Sequence, residues 1–449
     1  MSTTATALFI IAALAQNQAT ELTQIDPNST KLTVEQAVQI AQLNAFGLRI
    51  AQQDVAEAKA LERISRAQLG PGAQLTAGST WSRIELSGQQ GGTTSSTSST
   101  VQFAVSQIID ISGVFTNRIR SAEFNRLSRE AGVAATWNTI QNSVRTAYFQ
   151  ALQAEQLVVV QTTALTAAKE RLDKANIRVR EGAIPRFDAL RIETEVARLE
   201  QEVIRAQGTS LLAKQNLNLA MSRPIEAEVE LTQVLDPARL DAEAASLVTA
   251  ALATRPELKQ AELGIKALEQ ARIADERAGR PSLSLQGVYS QTVNPTGFSP
   301  KSNASIGASL TIPIVTSGLI DANAATARAR EERAKVLLEQ AQLSVALEVR
   351  AALTQWETSL AEYKTALKNQ ELAREALRLA NLRYDEQQGI LLDVIVSQAD
   401  LTAAESGVVN ARTQLHIAYA ALQKAVGRDN LSTDAASAPT SPATLEQGK

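Results

Sequence analysis

The feature that most constrains this chain is that its second half repeats its first. The segment 48–71 matches 258–281 without a gap, pairing Leu48 with Leu258, Ala51 with Ala261, Val55 with Ile265, Leu61 with Ala271 and Pro71 with Pro281. Further on a slightly shorter shift takes over. It pairs Ser112-Gly113 with Ser317-Gly318, Ala175-Asn176 with Ala380-Asn381, Arg178 with Arg383, Glu181 with Glu386 and Asp188 with Asp393. Only the loop between has changed length. Each copy spans nearly half of the 449 residues, far longer than a solenoid repeat, so the chain is a duplicated domain with copies at 16–225 and 226–428.

Both copies read in the same order. A helix over 34–69, broken near Asn44, corresponds to one over 242–278, broken at Arg255-Pro256. Two strands follow in each copy, at about 73–87 and 98–110 and again at 281–293 and 303–315. In the second copy Leu283, Leu285, Gly287 and Tyr289 share one face, opposite Ser282, Ser284, Gln286 and Ser290. Ala304, Ile306, Ala308, Leu310, Ile312 and Ile314 likewise oppose Ser305, Gly307, Ser309 and Thr311. The first copy repeats this with Leu75, Ala77 and Trp81, then Val101, Phe103 and Val105. Alternation of period two puts one face of each strand against an apolar medium and the other against water. Small polar residues on the wet face suit the inside of a channel, and the connecting segments 88–99 and 294–302 have the composition of solvated loops.

Long helices come next. Between Gly318 and Gly389 there is neither glycine nor proline, and between Gly113 and Gly182 only Gly132 interrupts. Some seventy helical residues would reach about 100 Å, beyond any ordinary globular domain. Ala346, Val349, Leu353, Trp356, Leu360, Tyr363 and Leu367 recur at spacings of three and four, a coiled-coil seam. Glycines end these helices in turns near 182–188 and 386–393, because glycine accepts the positive φ that closes a helix. Asp188 and Asp393 follow the turns, where a carboxylate favours the N-terminal end of the next helix. The scattered charges of 328–335 read as a solvated helix face. A coiled-coil scaffold outside any membrane is the rival reading, but it leaves the strands between the helices unexplained.

Composition removes most chemistry. There is no cysteine, and the single histidine, His416, is too few for a zinc site or a Ser-His-Asp triad and reads as a packed or surface residue. No catalytic residue, cofactor or metal site is expected. Aromatic residues make up 4% of the chain and the net charge is −3, so no nucleic-acid surface is expected either. No run approaches the roughly 18 apolar residues of a membrane-spanning helix. The apolar stretch Ala7 to Ala15, ending Ala13-Leu14-Ala15, reads as a signal peptide over 1–15 whose basic start is missing, and 429–449 reads as a disordered tail.

Four amphipathic strands cannot close a barrel alone. An open edge in lipid would leave backbone groups unpaired at several kcal/mol each, so several chains must pool their strands. Three chains would give twelve strands and an aqueous lumen, although the pattern itself fixes only more than one chain. Leu283, Leu285, Tyr289, Ile306, Leu310 and Ile312 are the candidates to face lipid.

In this order and duplication the chain resembles the TolC-type outer-membrane efflux proteins over about 32–428. The segment Ile312-Pro313-Ile314-Val315-Thr316-Ser317-Gly318 is similar to the family's strand exit, and Asn381-Leu382-Arg383-Tyr384 with Leu391-Leu392-Asp393-Val394 to its helix-tip segment. Ile177-Arg178, Gly182-Ala183-Ile184 and Phe187-Asp188 form the first copy of that tip, and 217–224 and 421–428 are similar to the closing element. The resemblance implies a homotrimer: a 12-stranded barrel in the outer membrane, continuous with a long α-helical coiled-coil barrel in the periplasm. It implies a passive duct for efflux or type I secretion, docked to a periplasmic adaptor and an inner-membrane pump of the RND, ABC or MFS class. Adaptor contact falls to Gly182, Ala183 and Ile184 and to Gly389, Ile390 and Leu391, and the entrance gate to Tyr384, Asp188 and Asp393. In the family a tyrosine and an aspartate in such positions link neighbouring helix pairs. Two departures stand out: the family's entrance arginine falls at Gly389 and its second ring-forming aspartate at Val396, so fewer polar locks are expected.

Overall fold

The computed structural model describes residues 31–85, 93–232, 243–293, 300–386 and 388–427. The expected signal segment and tail, and the centres of both strand-connecting loops, lie outside them. By contacts the chain forms two units, each drawing on both halves of the sequence.

One unit comprises Met1–Ile50, Val133–Pro256 and Gln342–Lys449. Helix α1 (Val34–Asn44) starts at a capping box, in which Thr33 Oγ1 accepts from Gln36 N–H and Gln36 Oε1 accepts from Thr33 N–H. Ala45, with ψ 122, breaks it from α2 (Phe46–Ala67), one residue from the expected position. Helices α3 (Val114–Arg180) and α4 (Arg186–Ala220) make the first long hairpin. Helices α5 (Ala244–Thr254) and α6 (Pro256–Glu276) part at Arg255, because the residue before proline is pushed out of the helical region and Pro256 fits a first helical position. Helices α7 (Leu319–Asp385) and α8 (Leu391–Val426) make the second hairpin.

The core of this unit surrounds Tyr148, which is 0% exposed among Leu32, Ile40, Val144, Leu217 and Met221. Its hydroxyl lies 2.8 Å from Leu32 O and 2.7 Å from Thr232 O, and accepts from Thr232 N–H at 3.1 Å. Burial pushes that hydroxyl's pKa up to about 12. The oxygen thereby closes a parallel bridge between β1 (Lys31–Leu32) and β4 (Glu230–Leu231), an element too short for any periodicity to announce. His416 is buried and stacks on Phe149 at 4.6 Å, a packed histidine. Along α4 the buried positions Ala189, Ile192, Val196, Leu199 and Val203 keep strict three–four spacing. The seam of α7 holds through Val349, Leu353 and Trp356, then moves onto Ser359, leaving Leu360 half-buried and Leu367 exposed.

The other unit comprises Ala51–Gly132 and Glu257–Ala341, and so holds most of α2 and α6 and the N-terminal parts of α3 and α7. Its strands β2 (Gly72–Glu85), β3 (Thr93–Ile109), β5 (Ser282–Thr292) and β6 (Ser302–Thr311) form an antiparallel sheet in the order β2-β3-β5-β6. Two boundaries differ from expectation. Strand β3 begins within the Ser/Thr-rich stretch read as loop, since these small side chains pair across the ladder, with Ser99 Oγ 3.0 Å from Ser79 Oγ and Ser82 Oγ 3.0 Å from Ser96 Oγ. Strand β6 stops at Thr311, so Ile312 lies beyond it; Pro313 has no N–H to offer a ladder. The strand exits use Gly113 (φ 75) and Gly318 (φ 77). Burial opposes ionisation of Asp110, but hydrogen bonds from the Thr116 hydroxyl and N–H and from Ser112 outweigh it and hold its carboxyl below the usual range.

Candidate lipid-facing sheet and helix tips

Register sets the chemistry of the sheet. Leu75 pairs Phe103, Phe103 pairs Tyr289 and Tyr289 pairs Ala304, so these four share a face. On that face the next rows run Ala73-Val105-Gly287-Ile306, then Gln107-Leu285-Ala308, then Ile109-Leu283-Leu310. The opposite face carries Gln74, Thr76, Gln102, Gln286, Ser290, Ser305 and Ser309. Of the expected apolar positions, Leu285, Tyr289, Ile306 and Leu310 are exposed, Ile306 at 95%, and Leu283 is half-covered. Such a largely apolar, uncovered face, interrupted by Gln107 and Gln291, is what a soluble surface avoids. The outer strands β2 and β6 each pair on one side only among the described residues, leaving two ladder edges open. Beyond β6, Ile314 is 90% exposed.

The first tip is a left-handed glycine turn. Gly182 has φ 71, its N–H donates to Val179 O at 3.1 Å, and Ala183 N–H donates to Arg178 O at 2.8 Å, which caps α3. Gly182 and Ala183 are exposed, while Ile184 packs on the tip core of Ala164, Ala168, Ala175 and Ile192. Asp188 lies half-buried in the first turn of α4, its N–H donating to Pro185 O at 3.1 Å.

The second tip is built differently, and the expectation of a positive φ at Gly389 fails. Gln388 and Gly389 N–H both donate to Arg383 O, at 2.8 and 3.0 Å, and a Cβ on Gly389 would lie 3.1 Å from Arg383 Cβ and 3.3 Å from its carbonyl carbon. Glycine serves close approach here rather than left-handedness. Ile390 is exposed, whereas Leu391 is 6% exposed and belongs to the tip core. Asp393 is exposed in the first turn of α8, and Val396 is exposed.

Tyr384 packs against the same core with the Arg178 guanidinium 5.8 Å from its ring centroid, and Arg178 Nη2 lies 3.3 Å from Asp385 Oδ1. These groups border a cavity of about 320 Å³ with Arg171, Lys174 and Gln398. Arg171 donates to Gln398 Oε1 at 3.2 Å, and burial holds its pKa below the ordinary value. Within one chain, among the described residues, no hydrogen bond joins Tyr384 to Asp188. The reach of Arg178 to the second hairpin is not legible in the sequence, where it stands out only as the counterpart of Arg383 and as part of the first tip motif. Among the described residues no cluster of metal-ligating side chains occurs, and no helix is long and apolar enough to cross a membrane.

Known proteins share this architecture. The outer membrane efflux protein family matches residues 37–223 and 247–428. Nodulation protein T of Rhizobium leguminosarum bv. viciae is 23% identical over 325 residues, covering 71% of this chain and 67% of that one. Outer membrane efflux protein BepC of Brucella suis is 26% identical over 299 residues, covering 65% and 63%. The fold is that of the Campylobacter jejuni CmeC outer membrane channel, with a TM-score of 0.77 at 19% identity over 88% of this chain and 85% of that one. Matched through both of its halves, the chain belongs to the outer membrane efflux protein family and is a transport channel of the outer membrane.

Proposed function

We propose that three copies of this chain pool their strands into a twelve-stranded barrel that opens into a periplasmic helical tunnel, as the exit duct of a tripartite efflux or type I secretion system. One observation carries this reading: a four-stranded sheet with an uncovered apolar face and two open edges. Lipid satisfies the face, and only a neighbouring copy satisfies the edges, β6 of one chain against β2 of the next. The other face, lined by glutamine, serine and threonine, then borders water.

The helix tips form the entrance. Tyr384, Asp188 and Asp393 are its gate residues, with the Tyr384 hydroxyl binding Asp188 in the closed state of the assembly. Gly182, Ala183, Ile184, Gly389 and Ile390 offer backbone and small apolar surface to a periplasmic adaptor, with Leu391 supporting them from within. An inner-membrane pump of the RND, ABC or MFS class supplies the energy and chooses the cargo.

Reconstitution of the full chain into planar bilayers tests this. Discrete conductance steps are expected, and Tyr384→Phe raises the resting conductance by removing the hydroxyl from the lock. A membrane without steps refutes the duct, and steps unaltered by Tyr384→Phe refute the gate assignment.

A further inference from the structure

The strand-bearing unit contains two ion ladders that are copies of each other with every sign reversed. In the first, α2 and α3 are joined in the order Glu123, Arg66, Glu62, Arg126, Glu130. Arg66 Nη2 lies 2.7 Å from Glu62 and 3.8 Å from Glu123, and Arg126 lies 2.7 Å from Glu62 and 2.6 Å from Glu130. In the second, α6 and α7 are joined in the order Arg328, Glu276, Arg272, Glu331, Lys335. Glu276 lies 2.8 Å from both Arg328 and Arg272, and Glu331 lies 2.7 Å from both Arg272 and Lys335.

The shifts that match Leu48 with Leu258 and Ser112 with Ser317 carry the first ladder onto the second, residue for residue. Glu62 falls on Arg272 and Arg66 on Glu276; Glu123 falls on Arg328, Arg126 on Glu331 and Glu130 on Lys335. Inversion is not a general trait of the duplication, since Arg178 and Arg383, Glu181 and Glu386, and Asp188 and Asp393 keep their signs. Both ladders act on their own members. Hydrogen bonds from Arg126 and then Arg66 hold the Glu62 carboxyl below its ordinary range, and those from Arg328 and Arg272 do the same for Glu276.

Stabilisation alone gives no reason for the reversal, because either polarity binds a helix pair equally well. Its consequence lies in the exchanged pairs. Were α2 to take α7 in place of α3, Glu62 would meet Glu331 and Arg66 would meet Arg328; were α6 to take α3, Arg272 would meet Arg126 and Glu276 would meet Glu123. The wrong partner is close at hand, since Ser128 of α3 already donates to Gln260 O of α6 at 2.9 Å. A duplicated domain offers each helix two partners of similar shape, and like charges placed against the wrong one are an effective way to discriminate.

We infer that the sign-reversed ladders sort the four helices, holding α2 to α3 and α6 to α7 and barring exchange between the two halves. This sorting is internal to one chain and does not depend on the trimer. Two full-length variants test it by refolding from denaturant into detergent, scored as the fraction recovered as one protease-resistant species. The first reverses only the first ladder, with Glu62→Arg, Arg66→Glu, Glu123→Arg, Arg126→Glu and Glu130→Lys, so each ladder stays complementary but the two become alike. The second reverses the other ladder as well, which restores the difference. The half-reversed chain should lose roughly five- to thirtyfold in recovery, the effect of one or two small free-energy steps, and the fully reversed chain should return to the wild-type level. Wild-type recovery of the half-reversed chain overturns the inference, as does a fully reversed chain that fails equally.

Discussion

In the helical unit, Tyr148, Val144 and Leu217 are closed off from solvent and even the tyrosine oxygen has its partners; in the strand unit, Leu75, Tyr289 and Ile306 stand uncovered on four well-paired strands. Both arrangements obey the same rule, that apolar surface seeks an apolar surrounding. The difference is where that surrounding comes from. The helices supply it from their own seams, whereas the sheet must receive it from outside the chain. Under the barrel proposed above, a single sequence folds one region for water and another for lipid.

The contrast predicts opposite responses to one kind of substitution. Ile306→Arg, in the middle of β6, should destabilise the chain folded in lipid by about 2–4 kcal/mol, whereas Ser305→Arg on the other face should change it by less than about 1 kcal/mol. Denaturant titration in vesicles reads both, and equal effects would erase the distinction between the faces. In the helical unit Tyr148→Phe keeps the packing but strands Thr232 O and leaves Leu32 O with only the Thr232 N–H, 3.1 Å away. A loss of about 1–3 kcal/mol in thermal or denaturant unfolding is expected, and none would mean that water reaches the bridge between β1 and β4.

A smaller effect separates the two tips. Gly182 has open space but a positive φ, so Gly182→Ala should cost about 1–2 kcal/mol through backbone conformation alone. Gly389→Ala meets the Arg383 backbone instead, and replacing Arg383 cannot relieve that contact with its carbonyl carbon. Limited proteolysis at each turn reports the difference, and identical behaviour would show that the two glycines do the same job.

How much of this the sequence discloses depends on the range of the forces involved. The faces of β2, β3, β5 and β6 were legible because alternation is a local pattern, and the break at Arg255-Pro256 because proline acts on its immediate neighbour. The ends of the strands were less so. Serine and threonine serve a ladder as well as a loop, which hid the start of β3, and the extension of β6 through Ile312 ignored the missing N–H of Pro313. Gly389 carried the right residue for the wrong reason. The bridge between β1 and β4, the role of Tyr148 and the reach of Arg178 to Asp385 join residues far apart in the chain, and nothing local marks them. The charges of 328–335, read as a solvated face, contribute Arg328, Glu331 and Lys335 to an ion ladder whose partners lie on another helix.

The claim on which the proposed function depends is that this sheet is completed by other copies of the chain. Light scattering on the full-length protein extracted in mild detergent, with the detergent contribution subtracted, measures it directly. Three chains per particle, insoluble once detergent is withdrawn, is the predicted result. One chain per particle, stable in plain buffer, would contradict the account.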